Sequence, residues 1–193
     1  MKTIFTASMR LVFLSLILSV LAAVPAYGQN ARLQIDHLDR FAEKAAEIVD
    51  VSVDENLLQL AAKFLKPERS RDEAIARQLI SDLKGVYVKR YQFETEGEYL
   101  DSDVEAIRAQ LNSSGWARIV NIRSKRKGNY DVVIMTEGSV IKGLAVLAVE
   151  PKALTVVNVV GPIDVEKLSY LEGKFGIPHF GLEQIAKPPM EDK

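Results

Sequence analysis

Residues 140–160 read Val-Ile-Lys-Gly-Leu-Ala-Val-Leu-Ala-Val, then Glu-Pro-Lys-Ala, then Leu-Thr-Val-Val-Asn-Val-Val. Two runs rich in β-branched residues, joined by a short link containing proline, make a hairpin. A parallel crossover would need roughly a dozen residues or more, whereas a few suffice for antiparallel neighbours. Both runs are apolar at odd and even positions alike. An antiparallel strand with one wet face should alternate, so both faces of this hairpin require cover. That cover is either other parts of the same monomer or a contact surface, for a second copy in a homodimer or for a partner protein.

Upstream, the same pattern continues. Strands are expected at Trp116–Arg123, Tyr130–Thr136 and Ser139–Val149, ahead of Leu154–Val160. The links are Ser-Lys-Arg-Lys-Gly-Asn, the Glu137-Gly138 pair and the Glu150–Ala153 turn, all short. The four strands are therefore a meander. Gly161-Pro162 reads as the end of the sheet, and Asp164 as the cap of a last helix holding Val165, Leu168 and Leu171.

Before the meander the periodicity is mixed. Leu38, Phe41, Ala45 and Ile48 follow helical spacing, and Val49, Val51 and Val53 then alternate with polar residues as in a half-buried strand. Asp54 can cap a helix with the stripe Leu57, Leu58, Ala61, Phe64 and Leu65, ended by Lys66-Pro67. Ser70 with Glu73 and Ser102 with Glu105 are two capping boxes, each opening a helix. Gly85–Glu94 between them is a strand by composition. The fold class is α+β: an antiparallel sheet with a C-terminal four-strand meander and helices packed on one face.

The ends differ from this domain. Lys2 and Arg10, an apolar run over Leu11–Val24 and the small residues of Ala26-Tyr27-Gly28 have the three parts of a secretory signal, with a cut expected after Gly28. The run is shorter than the roughly 20 residues a bilayer span requires, so no stable membrane span is expected after cleavage. The organisation is a signal peptide over 1–28, an exposed lead-in over 29–37, one domain over 38–173 and a loosely ordered tail over 174–193. Localisation is then periplasmic or secreted. The chain has no cysteine, so the domain must be held by its core alone.

Taking Lys2 and Arg10 from the 25 basic residues leaves 23 against 26 acidic ones. A mildly acidic exported protein lacks the basic face that nucleic acid requires, and nucleic acid is excluded as a partner.

A helix ending in Ser113-Ser114-Gly115-Trp116, a strand and polar hairpin, Ile141-Lys142-Gly143-Leu144, and then Val156-Val157-Asn158-Val159-Val160-Gly161-Pro162-Ile163-Asp164 resemble the bacterial family called domain of unknown function 4252. The resemblance spans roughly residues 38–172. It implies export and an α+β domain, and it carries no activity, cofactor or catalytic residue.

Candidate chemistry is thin. His37 and His179 are the only histidines, and Asp36, His37 and Asp39 do not by themselves make the three or four fixed ligands of a zinc site. Glu94, Glu96, Glu98, Asp101 and Asp103 lie close in sequence, the basis of an alternative reading as a periplasmic hydrolase. They lack the ligand order of a calcium loop, and acids at a helix start also suit its dipole. No phosphate-binding glycine loop and no Gly-x-Ser-x-Gly elbow occurs. No catalytic residue, metal or cofactor is assigned. The candidate ligand or partner surface consists of Tyr87, Tyr91 and Trp116, with a polar tip on an apolar body, and of the hairpin-tip cations Arg123, Lys125, Arg126 and Lys127. The sequence reading is an exported, non-enzymatic cell-envelope protein that binds a protein partner or a small apolar ligand.

Overall fold

The structure, a computed structural model, describes residues 30–170. The expected signal peptide and the tail, with His179, lie outside them.

Six strands form one antiparallel sheet: β1 (Glu47–Asp54), β2 (Gly85–Gln92), β3 (Trp116–Ser124), β4 (Gly128–Glu137), β5 (Val140–Glu150) and β6 (Ala153–Ile163). Their spatial order is β1-β2-β6-β5-β4-β3, so β3 to β6 are the expected meander and β2 closes against its last strand. The long α helices are α1 (Glu55–Phe64), α2 (Arg71–Asp82) and α3 (Asp101–Leu111); a short α4 (Val165–Tyr170) follows β6. Strand β6 runs through Gly161-Pro162, pairing Ile163 with Ile141, rather than stopping before them. Gly161 permits this at φ +127, and a Cβ there would meet the backbone at Leu83 and Lys84.

Local chemistry places the helices. Asp54 accepts from the Leu57 amide at 2.9 Å and Ser70 from that of Glu73 at 3.1 Å, as the sequence indicated. The Glu73 carboxylate turns to the Lys66 amide instead, closing the α1–α2 link. Helix α3 starts earlier than its Ser102 box: the Asp103 side chain accepts from the Leu100 amide at 2.7 Å. The helix expected from Leu38 is only a 3₁₀ turn, Asp36–Phe41.

Helices occupy both faces of the sheet, where one was expected. On the first face, Leu38, Phe41, Val104, Ile107 and Leu111 pack on Tyr91, Val133, Ala145, Leu147, Leu154 and Val156. On the second, Leu58, Ala76, Leu79 and Leu83 pack on Val132, Leu144 and Ile163. Adjacent residues such as Leu144 and Ala145 thus enter different cores, which is why β5 is apolar at odd and even positions alike from Gly143 to Val149.

The lead-in is a further correction. Ala31, Leu33 and Ile35 are buried, with exposed residues between them, so this segment is an alternating strap rather than an exposed leader. Asn158, fully buried on β6, holds it: its carboxamide accepts from the Leu33 amide and donates to the Ala31 carbonyl, each at 2.9 Å. Gly143 leaves room for the same strap, since a Cβ there would sit 2.7 Å from the Ala31 methyl.

Candidate functional site

In a meander, alternate turns come to the same end of the sheet. The β3–β4 tip, the β5–β6 turn at Glu150–Lys152 and the loop that follows β2 meet in this way. Tyr99 fastens the loop, its hydroxyl lying between the Glu150 and Ala153 carbonyls. Burial, with the nearby Glu150 charge, pushes this phenol up to about 12, so it remains a neutral donor.

Two open grooves flank the Glu150-Pro151 turn. The first, of about 740 Å³, includes Tyr99, Asp101, Arg123, Lys125 and Asn129. The second, of about 490 Å³, includes Arg90, Arg126, Lys127, Tyr130, Lys152 and Glu96. The four expected cations are therefore gathered at one end but divided between grooves: Arg123 and Lys125 on one side, Arg126 and Lys127 on the other. Arg123 is also drawn inward, within 3.8 Å of the buried Asp131 carboxylate.

The aromatic candidates do not join them. Tyr91 is buried, edge-on to Phe41 at 5.8 Å, and belongs to the core. Tyr87 is half-buried, with the Arg32 guanidinium stacked 4.4 Å from its ring centre, beside a cavity of only about 40 Å³. Trp116 opens β3 at the opposite end of the sheet, packed against the first core.

Sequence reasoning missed a polar cluster under the strap face. Lys89 shares its side of β2 with Tyr87 and Tyr91, a parity that would have marked it as inward-facing. Its ammonium group pairs with Asp39 and with Asp50, the latter at 2.9 Å, and Tyr91 donates to Asp39 at 3.1 Å. Burial alone would lower the Lys89 pKa, but the hydrogen bonds to the two carboxylates outweigh it and raise it. The Tyr91 phenol is pushed up to about 12, chiefly by burial. A lysine held protonated is neither a base nor a nucleophile, and through its pairing with Asp39 it fixes the 3₁₀ turn to the sheet.

The carboxylates of the hydrolase alternative are dispersed. Asp103 caps α3 and pairs with Arg40 at 2.6 Å, Asp101 lies 3.6 Å from Arg108, and Glu98 accepts from Thr95. The geometry lends that alternative no support. Among the described residues, no group of three or more His, Asp or Glu side chains is gathered for a metal ion. Nor, among them, is any helix long and apolar enough to cross a membrane.

The most exposed apolar surface lies on α1. Leu58 and Ala62 turn inward, while Leu57, Leu60 and Phe64 form a second stripe facing out, with Phe64 74% exposed. Val49 and Val51, also exposed, lie on β1, the strand that leads into α1 and an edge of the sheet.

A family model described as Domain of unknown function (DUF4252) matches residues 41–171, and the chain belongs to that family. No curated protein and no solved structure matches the chain.

Proposed function

We propose that this chain is exported by its N-terminal leader and acts in the cell envelope as a non-enzymatic domain that binds a protein partner through α1 and β1. The observation that carries the reading is the outward stripe of Leu57, Leu60 and Phe64. Apolar area left in water forfeits roughly 25 cal/mol per Å², a loss that association recovers. The outer edge of β1, unpaired among the described residues, adds backbone donors and acceptors to which an extended segment can pair. An exposed helix stripe and a strand edge together suit a protein better than a small molecule.

The test is a crosslinking pull-down of the tagged full chain from envelope extracts, followed by a Kd with the purified partner. Phe64→Ser combined with Leu60→Ser is expected to weaken that Kd more than tenfold, while Ile122→Ser, on the far edge strand, leaves it unchanged. Recovery of the bait alone sinks the partner reading. Export is read separately, by sequencing the N-terminus of the processed protein, which is expected to begin at Gln29.

A further inference from the structure

The second sheet face is only partly covered by α1 and α2. Cross-strand neighbours Val51, Val88 and Val157 lie outside the helical cluster and are exposed or half-buried. The next row toward the turns contains Val49, Arg90, Thr155 and Tyr130 on the same face. Beyond it lies the groove of about 490 Å³. An apolar shelf thus leads directly into a charged pocket.

The charge in that pocket is unspent. Arg90, Arg126, Lys127 and Lys152 all line it, and none makes an ion pair among the described residues. Two carboxylates, Glu96 and Glu150, face them, and Glu150 is already engaged by the Tyr130 hydroxyl. The Arg90 guanidinium is laid along the sheet by Gln92 at 2.9 Å and the Thr155 hydroxyl at 3.5 Å, leaving other N–H groups free for a ligand. Lys152 is held by the Glu94 carbonyl at 2.8 Å.

We propose that this shelf and groove bind a single-chain anionic lipid, its phosphate or carboxylate among Arg90, Arg126, Lys127 and Lys152 and its acyl chain on Val51, Val88 and Val157. Excess positive charge selects an anionic head, and the adjoining valines select a hydrocarbon chain rather than a free anion. The head-group cations lie off the α1 stripe, and the two surfaces share only β1, so the Arg126→Gln/Lys127→Gln pair tests the lipid reading without touching the partner reading, and Phe64→Ser with Leu60→Ser does the reverse.

The experiment titrates the full chain with monomeric lysophosphatidylglycerol, with lysophosphatidylcholine and glycerol phosphate as comparators, by calorimetry. Saturable binding of the anionic lipid is expected, with the zwitterionic lipid and glycerol phosphate each at least roughly tenfold weaker. The exposed pair Arg126→Gln with Lys127→Gln is expected to cost roughly tenfold, the worth of a charge-assisted hydrogen bond. Val88→Thr with Val157→Thr preserves shape and is expected to weaken the lipid while leaving glycerol phosphate unchanged. Equal binding of both lipids, or a Kd indifferent to the charge pair, overturns the proposal. So does glycerol phosphate matching the lipid, which would reduce the site to a free-anion pocket. Absence of saturable binding overturns it too, as would follow if the chain's own C-terminal residues or a second copy covered the shelf.

Discussion

The two faces of the sheet are built from the same β-strands and finished differently. On the first, the strap, the 3₁₀ turn and α3 close over Leu147, Leu154 and Val156, all fully buried; Asn158 takes up the strap's Leu33 amide and Ala31 carbonyl, and Lys89 pairs with Asp39 of the turn. On the second, α1 and α2 cover one end, and the rest grades from half-buried valines to cations that make no ion pair among the described residues. Leu154 and Val157 are three residues apart on β6 yet lie in these two environments. The difference teaches where to look for each property: stability should reside on the closed face and recognition on the open one.

The largest expected break comes from Leu154→Ala, which leaves a cavity in the closed core and should cost about 3–5 kcal/mol in urea unfolding. Val157→Ala on the open face should cost about 1 kcal/mol, because its methyl groups were never fully removed from water. Equal losses at the two positions would abolish the contrast.

Asn158→Leu follows, at about 2–4 kcal/mol, since it orphans the buried Leu33 amide and Ala31 carbonyl together. Hydrogen exchange should show the Leu33 amide losing protection while the α2 amides retain theirs. Uniform loss of protection would mean the strap is not a separate unit held by this residue.

A smaller effect should appear with pH. The hydrogen bond from Lys89 holds Asp39 below its ordinary value of 3.8, so its contribution is present above that value and lost as acid protonates it. Lys89 is raised above its ordinary 10.5, so its contribution is complete below that pH and fades as alkali deprotonates it. Tyr91, raised from 10 to about 12, reinforces the alkaline loss, because the unfolded phenol ionises first. Urea midpoints should therefore be flat from about pH 5 to 9 and fall on either side. Lys89→Met should flatten the acid arm and leave on the alkaline side only the part that Tyr91 supplies through burial; an unchanged profile in that variant would place the titration elsewhere.

The smallest change should be Phe64→Ser, within about 0.5 kcal/mol of the parent by the same unfolding measurement, because the ring is already in water. A loss of 2 kcal/mol or more would show that the α1 stripe is packed and would remove it as a docking surface.

Periodicity and turn chemistry alone determined much of this molecule. The Val140–Val160 hairpin, the meander, the Asp54 and Ser70 caps and the need to cover both strand faces are local facts, written in spacings of two and in side chains that bond their own neighbours. The signature Gly143, Asn158 and Gly161 was legible as a pattern but not as a purpose. The Asp164 cap of α4 was readable from spacing, but only the tertiary structure shows that Gly143 and Asn158 seat a strap more than a hundred residues away and that Gly161 admits the backbone before β2. The same holds for the site. Arg126 and Lys127 are adjacent in sequence, but their meeting with Arg90 and Lys152 depends on strand order, and the burial of Lys89 on which residues cross above it. Propensity acts between neighbours along the chain, whereas cover, charge pairing and exposure are set by segments that sequence distance does not relate.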